Sequence, residues 1–275
     1  MSEINLSMPS SVETVFIPKS SSMKQDKVNA GVNDIWTGYV VTSDQKMVKA
    51  YVKKIQNTNE LYKEILCSLL GRAIGINTPE PLIVKVDHDH PDIPNVNNQL
   101  FFGTTDCNST PFSRFLKQNE VTSNQLLTYE DLYKIIVFDE LIANSDRHPG
   151  NILFDGVKYD FIDHGEAFPI NFTHNLPMTQ CKWGENILAE NIRNSQGYNT
   201  IKTHQFMKKV IDFISNKISK EQIKLLPQSS KVNHDELTDH HKNIQNFLYQ
   251  RLPILSNLVR LSISNADDYG QLPLF

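Results

Sequence analysis

The stretch Asn144–Phe168, NSDRHPGNILFDGVKYDFIDHGEAF, constrains this chain more than any other. Asp155-Gly156 is a hairpin turn signal between ILF and KYDFID, so two short strands fold back on each other. Their pairing brings Asn151, just before the first strand, beside Asp163, at the end of the second. Carboxylate and carboxamide oxygens placed together suit a hard cation, and Mg²⁺ takes only one or two such ligands while keeping phosphates and water. Asp146 stands five positions before Asn151, which lets its carboxylate face a substrate hydroxyl. That arrangement suits phosphoryl transfer.

Composition narrows the setting. With 275 residues, 39% of them apolar, the chain can bury a core in one large domain or in two lobes that share a cleft. The net charge of −4, with Lys and Arg scattered, argues against nonspecific nucleic-acid binding by phosphate neutralisation. Cys67, Cys107 and Cys181 lie far apart and form no CxxC pair, which argues against a disulfide framework or a structural zinc site and for a reducing compartment. The start, MSEINLSMPSSVETVFIPKSSSMKQ, lacks a basic segment followed by an apolar run, and no later segment has bilayer-spanning length. A cytoplasmic protein outside the membrane is the expectation.

Asp34–Ile55 reads as two strands around a turn at Ser43–Lys46. In the second, Val48, Ala50 and Val52 alternate with Lys49, Tyr51 and Lys53, so one face is apolar and the other carries lysines. A helix follows, capped by Asn57 or Thr58, with Leu61, Ile65, Leu69 and Ala73 on one side, Glu64 beside that stripe, and Gly75 as a left-handed stop. PLIVKV is another strand, and His88 and His90, with Asp87 and Asp89, occupy a proline-rich loop better suited to a solvated turn than to a metal. In QLFFGTTDCNSTPFSRFL a strand gives way at Gly103 to small polar residues, as a hinge between lobes would. Thr128-x-x-Asp131 looks like a capping box opening a helix that is apolar nearly all round and runs into the opening stretch. HQFMKKVIDFISNKI and KNIQNFLYQRLPILSNLVRLSI are the periodic segments of the remainder, where His234, His240 and His241 read as surface residues.

Protein kinases place a catalytic Asp five residues before an Asn and follow with Asp-Phe-Gly. Here DRHPGN keeps the first spacing, and DHG stands in the second position after a short hairpin. With YVKKI…NELYKEILCSLLGRAIGINTPEP upstream and LFFGT between, Gly38–Phe168 resembles the HipA-like kinases, a bacterial branch of the protein-kinase-like fold. The resemblance implies an α+β, bilobal fold, with an N-lobe over 1–99, a mainly helical C-lobe over 100–275, and an ATP cleft between them. It implies ATP and Mg²⁺ as cofactors, Asp146 as catalytic base, and Asn151 and Asp163 as metal ligands. Lys53 would contact the α/β-phosphates with Glu64 holding it, and Phe102, Gly103 and His148 would border the nucleotide.

Lys49 shares the face of Lys53, Lys54 is the next residue, and Glu60 competes with Glu64 one turn away. Arg147 follows the catalytic Asp, as in HipA-like and phosphatidylinositol kinases, and His148 either touches phosphate or bonds the loop backbone. No GxGxxG precedes the lysine strand, so another segment, such as Lys19–Gln25, would have to cover phosphates. The chain starts almost directly at the ATP-binding lobe, which leaves little room for the extra N-terminal subdomain of the HipA toxins and for antitoxin contacts made there. The acceptor expected is a Ser or Thr hydroxyl of a protein, with self-phosphorylation and an antitoxin or regulatory partner as further possibilities. A lipid kinase, a pseudokinase used as a binding module, and a metal-dependent hydrolase recruiting Asp139, Asp155 or Asp160 are the competing readings.

Overall fold

Strand alternation around Lys53 builds the first half of the molecule. The structure is a computed structural model that describes residues 11–25, 34–55, 57–94, 96, 100–120, 123–170, 172–195, 200–230 and 238–264. Strands β1 (Glu13–Ile17), β2 (Met23–Gln25), β3 (Ile35–Val41) and β4 (Met47–Ile55) are followed by helix α1 (Thr58–Ala73), then β5 (Pro81–Val86) and β6 (Leu100–Thr105). They form a six-stranded sheet in the order β1-β5-β6-β4-β3-β2, and β1 also meets β3 through Phe16 and Val41, so the sheet curls onto itself. Its inner face buries Val15, Ile17, Trp36, Val40, Ala50, Val52, Leu82, Val84 and Phe101 as one cluster. By alternation Lys49, Tyr51 and Lys53 lie on the other face.

Asn57 caps α1 as the sequence predicts, its Oδ1 accepting from Glu60 N at 2.9 Å, and Gly75 ends it with φ 85°. The buried face is wider than the expected stripe. Tyr62, Leu66 and Leu70 are buried together with Leu61, Ile65, Leu69 and Ala73. The helix lies between the sheet and a helix of the second half, so it has little surface left to wet.

The expected break at Gly103 is displaced. Gly103 is paired on both sides, with Val52 and with Leu82, and a β carbon there would stand 2.7 Å from Val84 Cγ2. The glycine serves close strand packing instead. Regular pairing stops at Thr105, and Asn108 takes φ 57° with its N donating to Asp106 Oδ1.

The second half carries a small sheet, β7 (Thr110–Pro111), β8 (Ile152–Phe154) and β9 (Tyr159–Phe161), with helices α2 (Phe112–Asn119), α3 (Leu132–Ile142), α4 (Ile187–Asn194), α5 (Thr200–Lys217), α6 (Lys220–Ser230), α7 (Thr238–Arg251) and α8 (Leu255–Ile263). The expected α+β class holds. The capping box does not form, because Thr128 Oγ1 donates backward to Gln125 O at 2.7 Å within a 3₁₀ turn and α3 begins only at Leu132. His241 Nδ1 and the Tyr62 hydroxyl share a hydrogen bond, and His240 packs edge-on to the same ring, so these two are contact residues rather than surface ones. His234 lies outside the described residues. His88 pairs with the adjacent Asp89 at 2.6 Å, while His90 is buried and accepts from Asp92 N, so each is engaged locally. Among the described residues no helix is long and apolar enough to cross a membrane.

Helix α3 is held to the C-terminal helices by a buried polar knot. Arg251 donates to Glu140 Oε1 at 2.7 Å and to Glu140 O at 2.6 Å, and it also bonds the carbonyls of Thr173, His174 and Leu176. Ser262 Oγ donates to the other Glu140 oxygen at 2.9 Å. Removing one member strands a buried charge, so Arg251→Ala is expected to cost about 3–5 kcal/mol in urea unfolding. A loss below about 1 kcal/mol would show that the knot carries little of the stability.

Candidate active site

The loop after α3 takes its shape from one buried arginine. Ile135, Ile136, Phe138, Leu141 and Ile142 seal α3 into the core, and Ala143 turns the chain out of it with φ 52°. Asp139 on that helix is fully buried, and Arg147 grips it with two bonds, Nη2 to Oδ1 at 2.9 Å and Nε to Oδ2 at 3.1 Å. The remaining Arg147 nitrogen, Nη1, donates to Asn151 O at 3.0 Å and to Ile162 O at 2.6 Å. A planar fork is the side chain that can reach all of these at once. Asp139 therefore has a positioning role that helix periodicity could not reveal, since its partner lies beyond the helix end.

The hairpin completes the juxtaposition. Asp155 Oδ1 accepts from Val157 N at 2.8 Å and Lys158 N at 2.7 Å, and Gly156 supplies φ 104°. Ile152 pairs with Phe161, and Ile162 N donates to Asn151 O at 3.2 Å, so Asn151 and Asp163 flank the same strand end. Asn151 Nδ2 donates to Asp146 O at 2.8 Å and to Asp146 Oδ2 at 2.9 Å. The Asp146 carboxylate remains 45% exposed, accessible to a substrate. His148 Nδ1 accepts from Gly150 N at 2.9 Å, with its Nε2 3.8 Å from Asp146 Oδ1, which places it at the loop's outer edge.

From the sheet, Lys53 reaches across. Its Nζ lies 2.8 Å from Glu64 Oε1, 3.1 Å from Asp163 Oδ1 and 3.4 Å from Glu60 Oε1. Lys49 is paired elsewhere, with Asp106 at 2.6 Å, and Lys54 falls on the opposite face of the strand. Burial disfavours the Lys53 ammonium, but the charges of Glu64 and Asp163 outweigh it and hold the group above the usual lysine range. Glu64 is fully buried, and desolvation lifts its carboxyl to about 7 against the pull of Lys53. Asp163 feels burial too, yet Lys53 overrides it and keeps this carboxyl below its ordinary value. Asp163 adopts φ 58°, a backbone position unusual for a side-chain-bearing residue, and the next amide, His164 N, donates to Glu64 Oε2 at 2.8 Å. Burial, reinforced by Arg147, holds the His164 ring neutral.

Lys53, Glu64 and Asp163 border a cavity of about 160 Å³, whose lining does not include Asp146, His148 or Asn151. Phe102 and Thr104 line it from β6, Leu153 from β8, and Arg114 and Gly150 from its rim. Gly103 points to the other face of the sheet, and no residue of Lys19–Gln25 reaches the cavity. That segment turns away because Lys19 N meets Asp87, Met23 N meets Asp92, and the Met23 side chain is buried. Thr104, Leu153 and Arg114 were not legible beforehand, since strand register and the α2 approach decide which residues meet the space.

The donor set suits a hard cation. With Asn151 Nδ2 tied to Asp146, its carbonyl oxygen is the end left for a ligand, and Asp163 commits only Oδ1 to Lys53. Around Nζ, the carboxyl groups of Glu60, Glu64 and Asp163 face one ammonium, an acid-rich surrounding that suits a divalent ion.

The family model described as HipA-like kinase matches residues 33–257, and the chain belongs to that family. Its fold is similar to that in the crystal structure of the Helicobacter pylori proinflammatory kinase CtkA, with a TM-score of 0.56 and 12% identity over 88% of this chain and 95% of that one. No curated protein matches the chain closely enough to count as a relative.

Glu64 gives the site a pH signature. Its carboxyl binds a proton more tightly folded than unfolded, so its contribution to stability falls as pH rises from 4.5 to about 7 and is constant above. Urea unfolding of wild type and Glu64→Gln across that range is expected to show wild type losing ground to the variant as pH rises. A pH-independent difference would contradict the assignment.

Proposed function

We propose that the protein is an ATP- and Mg²⁺-dependent protein kinase that transfers the γ-phosphate to a Ser or Thr hydroxyl. The observation that carries this reading is the single assembly in which Arg147 sets Asn151 beside Asp163, with Asp146 on Asn151 and the Lys53–Glu64 pair on Asp163. Membership in a kinase family supports phosphotransfer, and the family's general use of protein acceptors supports the acceptor class. In this reading the six-stranded sheet with α1 is the small lobe, the helices form the large lobe, and residues 106–109 connect them around the nucleotide. The cytoplasm, where ATP and reduced thiols coexist, is the compartment that fits.

Each residue then has a defined task. Asp146 orients the acceptor hydroxyl and takes its proton as the oxygen bonds to the γ-phosphorus and the bond to the β-phosphate oxygen breaks, releasing ADP. Asn151 and Asp163 would hold Mg²⁺, which supplies charge neutralisation to the phosphates. Lys53 pairs with phosphate oxygens, and Glu64 keeps the ammonium aimed during transfer. Phe102 and Leu153 offer apolar surface to the base.

Transfer of labelled γ-phosphate to itself and to lysate proteins tests the reading. Asp146→Ala is expected to lower kcat about 10²–10⁴-fold, and Asp163→Ala to abolish the Mg²⁺-dependent signal. Labelling of lipid alone would refute the protein acceptor, and undiminished transfer by both variants would refute the site.

A further inference from the structure

Trp183 is 62% exposed although its ring is among the most costly side chains to leave in water. Its placement is fixed by the chain around it. Cys181 and Gly184 pair as a bridge, so Trp183 and Lys182 occupy the tip of a tight turn. Cys181 N donates to Met178 O at 2.9 Å, and Met178 and Phe172 pack together with Ala143 at the end of α3. Gly184 then abuts the catalytic loop, since a β carbon there would stand 2.5 Å from Ser145 Cβ and 2.7 Å from Phe172 Cζ. Ser145 is the residue before Asp146.

Two further features share this neighbourhood. Lys182 Nζ lies 4.8 Å from the centre of the Trp183 ring, a cation–π contact that stiffens the indole. Ile170 is 99% exposed two residues before Phe172, whose ring also meets Gly184. None of Ile170, Lys182 and Trp183 lines the cavity beside Lys53. The turn that carries Trp183 thus sits against the residue preceding the proposed base, while its exposed side chains lie outside the cavity beside Lys53.

We propose that the Cys181–Gly184 turn is the docking surface for the acceptor polypeptide, with Trp183 taking a large apolar side chain that lies close in sequence to the acceptor Ser or Thr. The proposal rests on the protein-kinase reading above and adds the side chain that selects the acceptor. A polypeptide fits better than a membrane, because Lys182 is the only cation in the turn and the chain is acidic, whereas anionic lipid surfaces recruit clustered basic residues. A rigid aromatic at the centre of a contact is the usual carrier of recognition energy.

The test uses the full chain, Mg·ATP and an oriented library of Ser- and Thr-centred peptides. Wild type is expected to prefer a large apolar residue near the acceptor, and Trp183→Ala to raise KM for the preferred peptide about tenfold or more while KM for ATP stays within about twofold. Trp183→Phe is expected to restore most of the affinity. A second readout exploits the fact that the other tryptophan, Trp36, is buried in the sheet, so peptide binding should shift Trp183 emission to shorter wavelength in Trp36→Phe protein. If peptides are phosphorylated but Trp183→Ala leaves their KM unchanged, the docking surface is overturned and the kinase reading stands. If no polypeptide is phosphorylated, both fall. An emission shift on phosphatidylinositol vesicles without one on peptides would assign the surface to lipid instead.

Discussion

The guanidinium of Arg147 is sealed from water and holds two loops to one helix through four hydrogen bonds. Taking such a charge out of water costs several kcal/mol, which is recovered only when a carboxylate and further acceptors surround it in good geometry. Asp139 supplies the carboxylate, while the carbonyls of Asn151 and Ile162 supply the rest. The spacing of the side chains that follow those carbonyls is thereby set from below. Asn151 is fixed against Asp146, and Asp163 is raised on a left-handed residue toward the sheet.

A second consequence is that the charges on the two sides of the cavity are unlike in burial. Glu64 is almost fully enclosed and Asp163 is 40% exposed, yet both contact Lys53. The enclosed partner anchors the ammonium from α1, and the exposed one is free to exchange it for another cation. Carboxyl groups outnumber ammoniums here, and the most exposed one, Asp163, is the residue that the proposed kinase reading makes a metal ligand.

Much of this was readable in the chain because its local signals agree. The Asp155-Gly156 turn, the Asn57 cap and the Gly75 stop each depend on a few neighbouring residues, and all three form. The misplacements arise from partners that a local pattern does not rank. Gly103 looks like a strand end until Val52 and Leu82 pair with it on both sides. Thr128 has the spacing of a cap, but its hydroxyl finds Gln125 O first. Lys49 and Lys53 were equivalent by alternation, and only the approach of Asp106 to one and α1 to the other separates them. Asp139 and Trp183 left no local signal at all, since one is defined by a partner past the helix end and the other by a turn that folds back on Ser145.

Arg147 and Asp139 act as one unit that sets both loops. A double-mutant cycle of Asp139→Asn and Arg147→Lys, read by γ-phosphate transfer and by urea unfolding, tests it most directly. The double variant is expected to be no worse than the more impaired single one, a coupling of about 2 kcal/mol or more in both readouts. Losses that add independently would contradict it.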